Sequence, residues 1–357
     1  MSSSISRSGL LDRLSNGESV VCAEGYLFAF ERRGYLKAGA FVPEVVLEHP
    51  ELVRQQYEEF VHAGSDVVLA FTYYAHREKM ALIGREDDIE RINRAALRIA
   101  KEVADQTGTM MAGNICNTTL YDANDPSCKK GIDEMFKEQI EWAVEAGADF
   151  IVGETFGDVG EAMLALEAIK AYGQGLPAVI TMGFYQSTVD GKVATLDGVE
   201  MCAAFQLLEA AGADVLGLNC ARGPATTLPL LKELKKVLKV PLAAVPVVYR
   251  TTEDAPNMQA LKDPLGGKQL FPTNLDCAAC TRDDIVSFGK ACMELGVQYV
   301  GLCCGNSAHY TRSLCESLGR NPPASRYSAD MSQHFAYGSD DKLHKYNQVQ
   351  VKSFLTS

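Results

Sequence analysis

The chain has 357 residues, 47% of them hydrophobic, and its 46 acidic against 34 basic side chains give a formal charge of −12. A surface that acidic repels a phosphate backbone, which argues against nucleic acid as a partner. The start, Met1-Ser-Ser-Ser-Ile-Ser-Arg7, has no apolar signal core, and no apolar run approaches 18 residues, so the sequence reads as a cytoplasmic protein without a membrane partner.

In chain order, short β-branched apolar runs alternate with longer segments of helical period. The runs at 19–25, 66–71, 109–115, 149–155, 177–184, 214–220, 241–248 and 298–305 are expected strands. Between them, Ile89, Ile92, Ala96, Ile99 and Val103 share one helical face, as do Val199, Cys202, Phe205 and Leu208, and again Ile285, Phe288, Cys292 and Leu295. Strands that are apolar throughout and separated by helices indicate a parallel sheet covered on its outer face. Eight such units over residues 1–318 predict an α/β fold of the (β/α)8 TIM-barrel type, with an open doubly wound sheet as the alternative. The strings HAGSDVVLAF (62–71), EAGADFIVGE (145–154), AAGADVLGLN (210–219) and ELGVQYVGLC (294–303) repeat one grammar: a helix end, a glycine, a short link, a buried strand. Any helix-to-strand connection has this form, so the repeat supports the count without deciding it. The pattern stops after Leu318. Residues 319–357 form a polar tail with exposed-looking aromatics, either unstructured or an arm that packs on a second subunit of a homo-oligomer.

The chain contains 11 cysteines, an odd count with no secretory signal, so reduced thiols serving as core, metal or catalytic groups are expected rather than a disulfide framework. In a β/α barrel the site forms at the C-terminal strand ends. There the sixth expected strand delivers Cys220 and the eighth delivers Cys303 and Cys304. Three soft thiolates with one open corner suit a catalytic Zn²⁺, one per chain. The alternative is a core Cys220 beside an incidental pair. Cys277-Ala-Ala-Cys280 has redox and zinc spacing but no second pair at zinc-ribbon spacing, and reads as incidental, with redox protection of the zinc thiolates as the alternative.

GLNC at 217–220 and GLCCG at 301–305 resemble the two zinc signatures of the homocysteine S-methyltransferase family. The similarity runs from about Leu11 to Ala324 and is greatest to the betaine–homocysteine branch, through FAFERRGYLKAG (28–39), PEVVLEHPELVRQ (43–55), FTYYA (71–75) and PPAS (322–325). The resemblance implies a thiol that binds zinc through its sulfur, loses its proton, and attacks a methyl group on a small onium donor, giving methionine from homocysteine. It also implies that Glu154 receives the amino group of the acceptor and that Tyr74 faces the donor. Asn219 would brace the substrate or a ligand. Three thiolates around a divalent cation leave a charge near −1, which keeps the bound sulfur nucleophilic.

The chain departs from the family at two places. An Asp-Gly pair opens the family's first strand, whereas this chain has Ala23-Glu24-Gly25, moving the carboxylate one place on. A one-residue shift turns a side chain to the opposite face unless the strand end curls. The betaine branch has a tryptophan where Phe41 stands and a tyrosine where Thr155 stands, so Tyr73, Phe184, Tyr185 and Tyr26 are the candidates to complete an aromatic surround for a betaine or sulfonium donor. Two other readings remain open on sequence: a zinc-binding regulatory protein without turnover, and a methyltransferase with a different thiol acceptor. A Schiff-base aldolase would need a strand-end lysine, and none is found.

Overall fold

The computed structural model describes residues 9–356; the opening seven residues considered above lie outside them. Eight parallel strands close into a barrel: β1 (Val20–Ala23), β2 (Val67–Leu69), β3 (Met110–Cys116), β4 (Phe150–Phe156), β5 (Ala178–Met182), then, after a small hairpin, β8 (Val215–Asn219), β9 (Leu242–Val245) and β10 (Tyr299–Leu302), which pairs back onto β1. Each expected strand is present at its place in the chain, and closure removes the open-sheet alternative. The strands are buried along their whole length, which is why they carry no polar alternation.

The helices bury the faces that periodicity assigned to them. Helix Ile89–Thr107 buries Ile89, Ile92, Ala96, Ile99 and Val103, and helix Arg282–Leu295 buries Ile285, Phe288 and Cys292. Val199 is a correction. It precedes helix Met201–Ala210, because Glu200 caps that helix by accepting from Ala203 N, and Val199 N instead donates to Thr195 Oγ1. The four repeated glycines, Gly64, Gly147, Gly212 and Gly296, all adopt positive φ (+115°, +78°, +89°, +68°), as a helix end turning directly into a strand requires.

The hairpin, β6 (Thr188–Val189) with β7 (Lys192–Val193), was not expected from the sequence reading. Its signal is Asp190-Gly191, both at positive φ (51° and 76°), the conformation of a two-residue hairpin turn. Past Gly319 the chain makes short helical turns at Pro323–Tyr327, Met331–Gln333 and Asn347–Leu355. Among the described residues of that stretch only Ala336 is buried, while Tyr327, Phe335, Tyr337, Tyr346 and Phe354 are exposed. The tail has no core of its own. No described helix is long and apolar enough to cross a membrane.

Candidate active site

Three sulfur atoms meet at the barrel mouth. Cys220 follows β8, and Cys303 and Cys304 follow β10, with β9 between the two strands. Cys220 Sγ lies 3.7 Å from Cys304 Sγ, and Cys303 Sγ lies 3.9 Å from Cys304 Sγ. Thiolates on three corners of a zinc tetrahedron with Zn–S bonds of about 2.3 Å stand about 3.8 Å apart; these two separations match that spacing, all three sulfurs lie within 4.8 Å of one another, and the donor set suits Zn²⁺. Cys303 and then Cys304 donate toward Cys220, holding its thiol well below the ordinary range. The same bonds push Cys303 and Cys304 well above it.

Gly25 shapes the opposite wall. Its φ is +98°, and a Cβ there would lie 2.4 Å from the Cys303 carbonyl oxygen, so only glycine lets β1 close against the Cys303–Cys304 loop. The same turn settles Glu24. β1 ends at Ala23, the in-out alternation stops with it, and Glu24 turns inward, 3% exposed. One carboxylate oxygen of Glu24, one of Glu154 and Cys303 Sγ all lie within 4.8 Å of one another.

Glu154 is held rigidly. A register shift between Gly153 and Phe156 in the β4–β5 pairing re-aims the strand at this point. Asn114 Nδ2 then donates to Glu154 Oε1 at 2.6 Å, and Asn219 Nδ2 to Oε2 at 2.9 Å. Asn219 also donates to Thr155 Oγ1 at 2.7 Å and accepts from Thr155 N at 2.9 Å. It therefore braces the glutamate. Burial pushes Glu154 up to about 7, and burial plus the facing Glu154 charge drives Glu24 well above the carboxylate range. Two buried acceptors at this spot have no donor among the described residues: Glu24 Oε2 and Asn114 Oδ1. Buried acceptors are ordinarily satisfied, so a ligand bearing several N–H donors suits the pair.

Two cavities meet at the sulfur cluster. The inner one, ≈ 40 Å³, is lined by Glu24, Gly25, Tyr26, Asn114 and Glu154 and by all three cysteines. The outer one, ≈ 290 Å³, reaches Cys220 and Cys304 and is walled by Phe28, Phe41, Tyr73, Tyr74, Tyr121, Tyr185 and Phe271. Of the non-glycine residues at positive φ, Phe41 (54°), Tyr74 (61°), Thr119 (66°), Thr155 (62°) and Cys220 (53°) all line the outer cavity. Backbone strain of this kind costs on the order of 1–3 kcal/mol per residue and collects where side-chain placement matters more than stability.

Some aromatic expectations need correcting. Phe184 lines neither cavity; it packs on Phe205 at 6.0 Å. Tyr26 belongs to the inner cavity. Tyr74 does line the outer one, but Lys79 Nζ sits 4.0 Å over its ring, so one face of that ring already holds a cation. Cys277 is exposed, Cys280 is buried, and neither lines either cavity. The sequence reading did not single out Asn114 as a partner of Glu154, nor Asn117, Tyr121, Asp158, Glu161 and Gln259 as outer-wall residues. Gly160 was the available signal for Tyr121, since any Cβ there would collide with the Tyr121 hydroxyl.

The closed β/α barrel thus brings vicinal cysteines beside a third, between a carboxylate pair and an aromatic chamber. The chain belongs to the homocysteine S-methyltransferase family, whose model matches residues 28–318, and it is a methyltransferase. Mouse betaine–homocysteine S-methyltransferase 1 is 34% identical over 97% of this chain and 83% of that protein. Mouse S-methylmethionine–homocysteine S-methyltransferase is also 34% identical, over 97% of this chain and 91% of that protein. The Escherichia coli homocysteine methyltransferase MmuM, in its metallated form, shares the fold with a TM-score of 0.63 at 18% identity, over 85% of this chain and 98% of that one.

Proposed function

We propose that the protein transfers a methyl group from a small onium donor, a betaine or a sulfonium, to the thiol of homocysteine, with Cys220, Cys303 and Cys304 holding one Zn²⁺. The observation that carries this reading is the sulfur cluster at the junction of the two cavities, since acceptor sulfur and donor methyl must meet there. When bound, the metal supplies the Lewis acidity that takes the proton from an incoming thiol and keeps its sulfur reactive. Glu154, fixed by Asn114 and Asn219, and Glu24 across from it receive the ammonium group of the acceptor. Tyr73, Tyr74, Tyr185 and Phe41 offer ring faces and edges to the onium head and point its methyl at the cluster. The new C–S bond forms as the donor C–N or C–S bond breaks in line, and the donor leaves as a neutral amine or thioether. Opposite charges cancel in that step, which a largely apolar wall favours over water.

Zinc-loaded protein given homocysteine and, in turn, glycine betaine, S-methylmethionine and dimethylsulfoniopropionate is expected to form methionine with at least one donor. Zinc retained without turnover on any of them would favour the regulatory reading.

The tail belongs to the same proposal as an arm that buries its aromatics on a second copy. Light scattering is expected to show a dimer or larger assembly at micromolar concentration, and deletion of residues 320–357 to shrink it. A full-length monomer that the deletion leaves unchanged would overturn the arm.

A further inference from the structure

Among the described residues, none pairs with the Asp158 carboxylate. It stands just before helix Val159–Tyr172, where an aspartate ordinarily accepts from the first backbone N–H groups, yet its side chain makes no such bond. Asp197, in the loop after the hairpin, does that work instead, accepting from Val159 N at 3.0 Å and Gly160 N at 2.9 Å. Asp158 is thereby free to line the outer cavity, the one that ends on Cys220 and Cys304. Burial, with Asp197 and Glu161 close by, pushes its carboxyl up to about 6, as a charge without a counter-ion requires. Glu161 lines the same wall, and its Oε1 is already taken up by Thr118 N and Thr118 Oγ1.

Among the described residues around this cavity there is no lysine, arginine or histidine; Lys79 lies over the Tyr74 ring and is not among them. A donor whose far end is a carboxylate therefore meets like charge there and no compensating cation. A donor whose far end is an ammonium meets a carboxylate with nothing else to bind.

We propose that Asp158, backed by Glu161, selects a methyl donor bearing a second cation remote from its onium head, a sulfonium α-amino acid, over donors whose remote group is only a carboxylate. The selection rests on the methyl transfer proposed above and deepens it by naming the donor class. The chemistry is unchanged: the S–CH₃ bond of the sulfonium breaks as the acceptor S–CH₃ bond forms, and a neutral thioether amino acid leaves.

The test compares kcat/KM for S-methylmethionine, dimethylsulfoniopropionate and glycine betaine at saturating homocysteine in the wild type, Asp158→Asn and Asp158→Lys. Wild type is expected to prefer S-methylmethionine over both carboxylate-ended donors. The preference over betaine should fall about tenfold in Asp158→Asn and about a hundredfold in Asp158→Lys, mainly through KM. All donors are read on one preparation, so partial misfolding cancels in the ratio. A ratio that the lysine variant leaves unmoved, a wild type that prefers betaine, or equal use of the two sulfonium donors would each overturn the role of Asp158. If no donor methylates homocysteine, the reaction itself is wrong. Calorimetric binding of S-methylmethionine against betaine to the zinc-loaded proteins then decides the selectivity separately, by the same inversion or its absence.

Discussion

Cys220→Ala protein is expected to purify with well under about a tenth of a zinc ion per chain and no measurable methyl transfer, while remaining a folded barrel. Losing even an outer partner of a metal ligand commonly weakens binding about 10- to 100-fold, and losing a ligand costs more. Here the loss is made worse by chain geometry. The two remaining thiols are adjacent residues on one loop after β10, and Cys220 is the only sulfur of the three that comes from the other side of β9. The barrel should survive, because Cys220 lies just beyond β8 and is partly exposed. Cys220→Gly supplies the control. Cys220 has φ 53°, so glycine relieves backbone strain that alanine keeps, and the glycine variant should be the more stable by about 1 kcal/mol in denaturant titration while binding zinc no better. Full zinc content in either variant would move the metal elsewhere. The other described cluster, Glu24, Glu154 and Cys303, would then be its most direct candidate.

How much of this was legible before the structure depends on what kind of interaction fixes each feature. The eight strands and the positions of Cys220, Cys303 and Cys304 are local facts: a buried strand is apolar along its length, and its end follows directly. The orientation of Glu24 is not local. Period-two alternation sends it away from Glu154 and the inner cavity, and that reasoning holds only while the strand lasts. β1 stops at Ala23 because Gly25 must come within contact of the Cys303 backbone, a residue far away in sequence. The aromatic wall fails in the opposite direction. Phe184 follows β5 and looks well placed, but the packing of helix Met201–Ala210 draws its ring onto Phe205. Asp158 was hidden by its own plausibility as a helix cap, a role that Asp197 fills from nearly forty residues on.

Glu24→Gln is expected to raise the Michaelis constant for homocysteine about ten- to hundredfold and to leave the donor constant nearly unmoved. The magnitude follows from a charge-assisted contact to a buried ammonium, about 1.5–3 kcal/mol. Glu24 is 3% exposed, so solvent screens little of it. Its Oε2 also has no donor among the described residues, so the amide keeps the shape while taking away the carboxylate that an incoming ammonium would hold ionised. Glu154→Gln should cost more than Glu24→Gln. Both Glu154 oxygens accept from asparagine Nδ2 groups, so whichever oxygen becomes an NH₂ sets donor against donor and loosens Asn114 or Asn219 as well. The two carboxylates are within reach of each other, so the effects should couple: the double variant ought to lose less than the product of the single losses. What separates ammonium binding from general damage is an acceptor without the amino group, 4-mercaptobutyrate. Against that thiol the wild type should already look like the double variant, and Glu24→Gln should make little further difference. Equal losses for both thiols would mean that the pair supports the cluster rather than the amino acid. A Glu24→Gln enzyme with an unchanged homocysteine constant would leave the acceptor site resting on Glu154 alone, and would favour a thiol other than homocysteine.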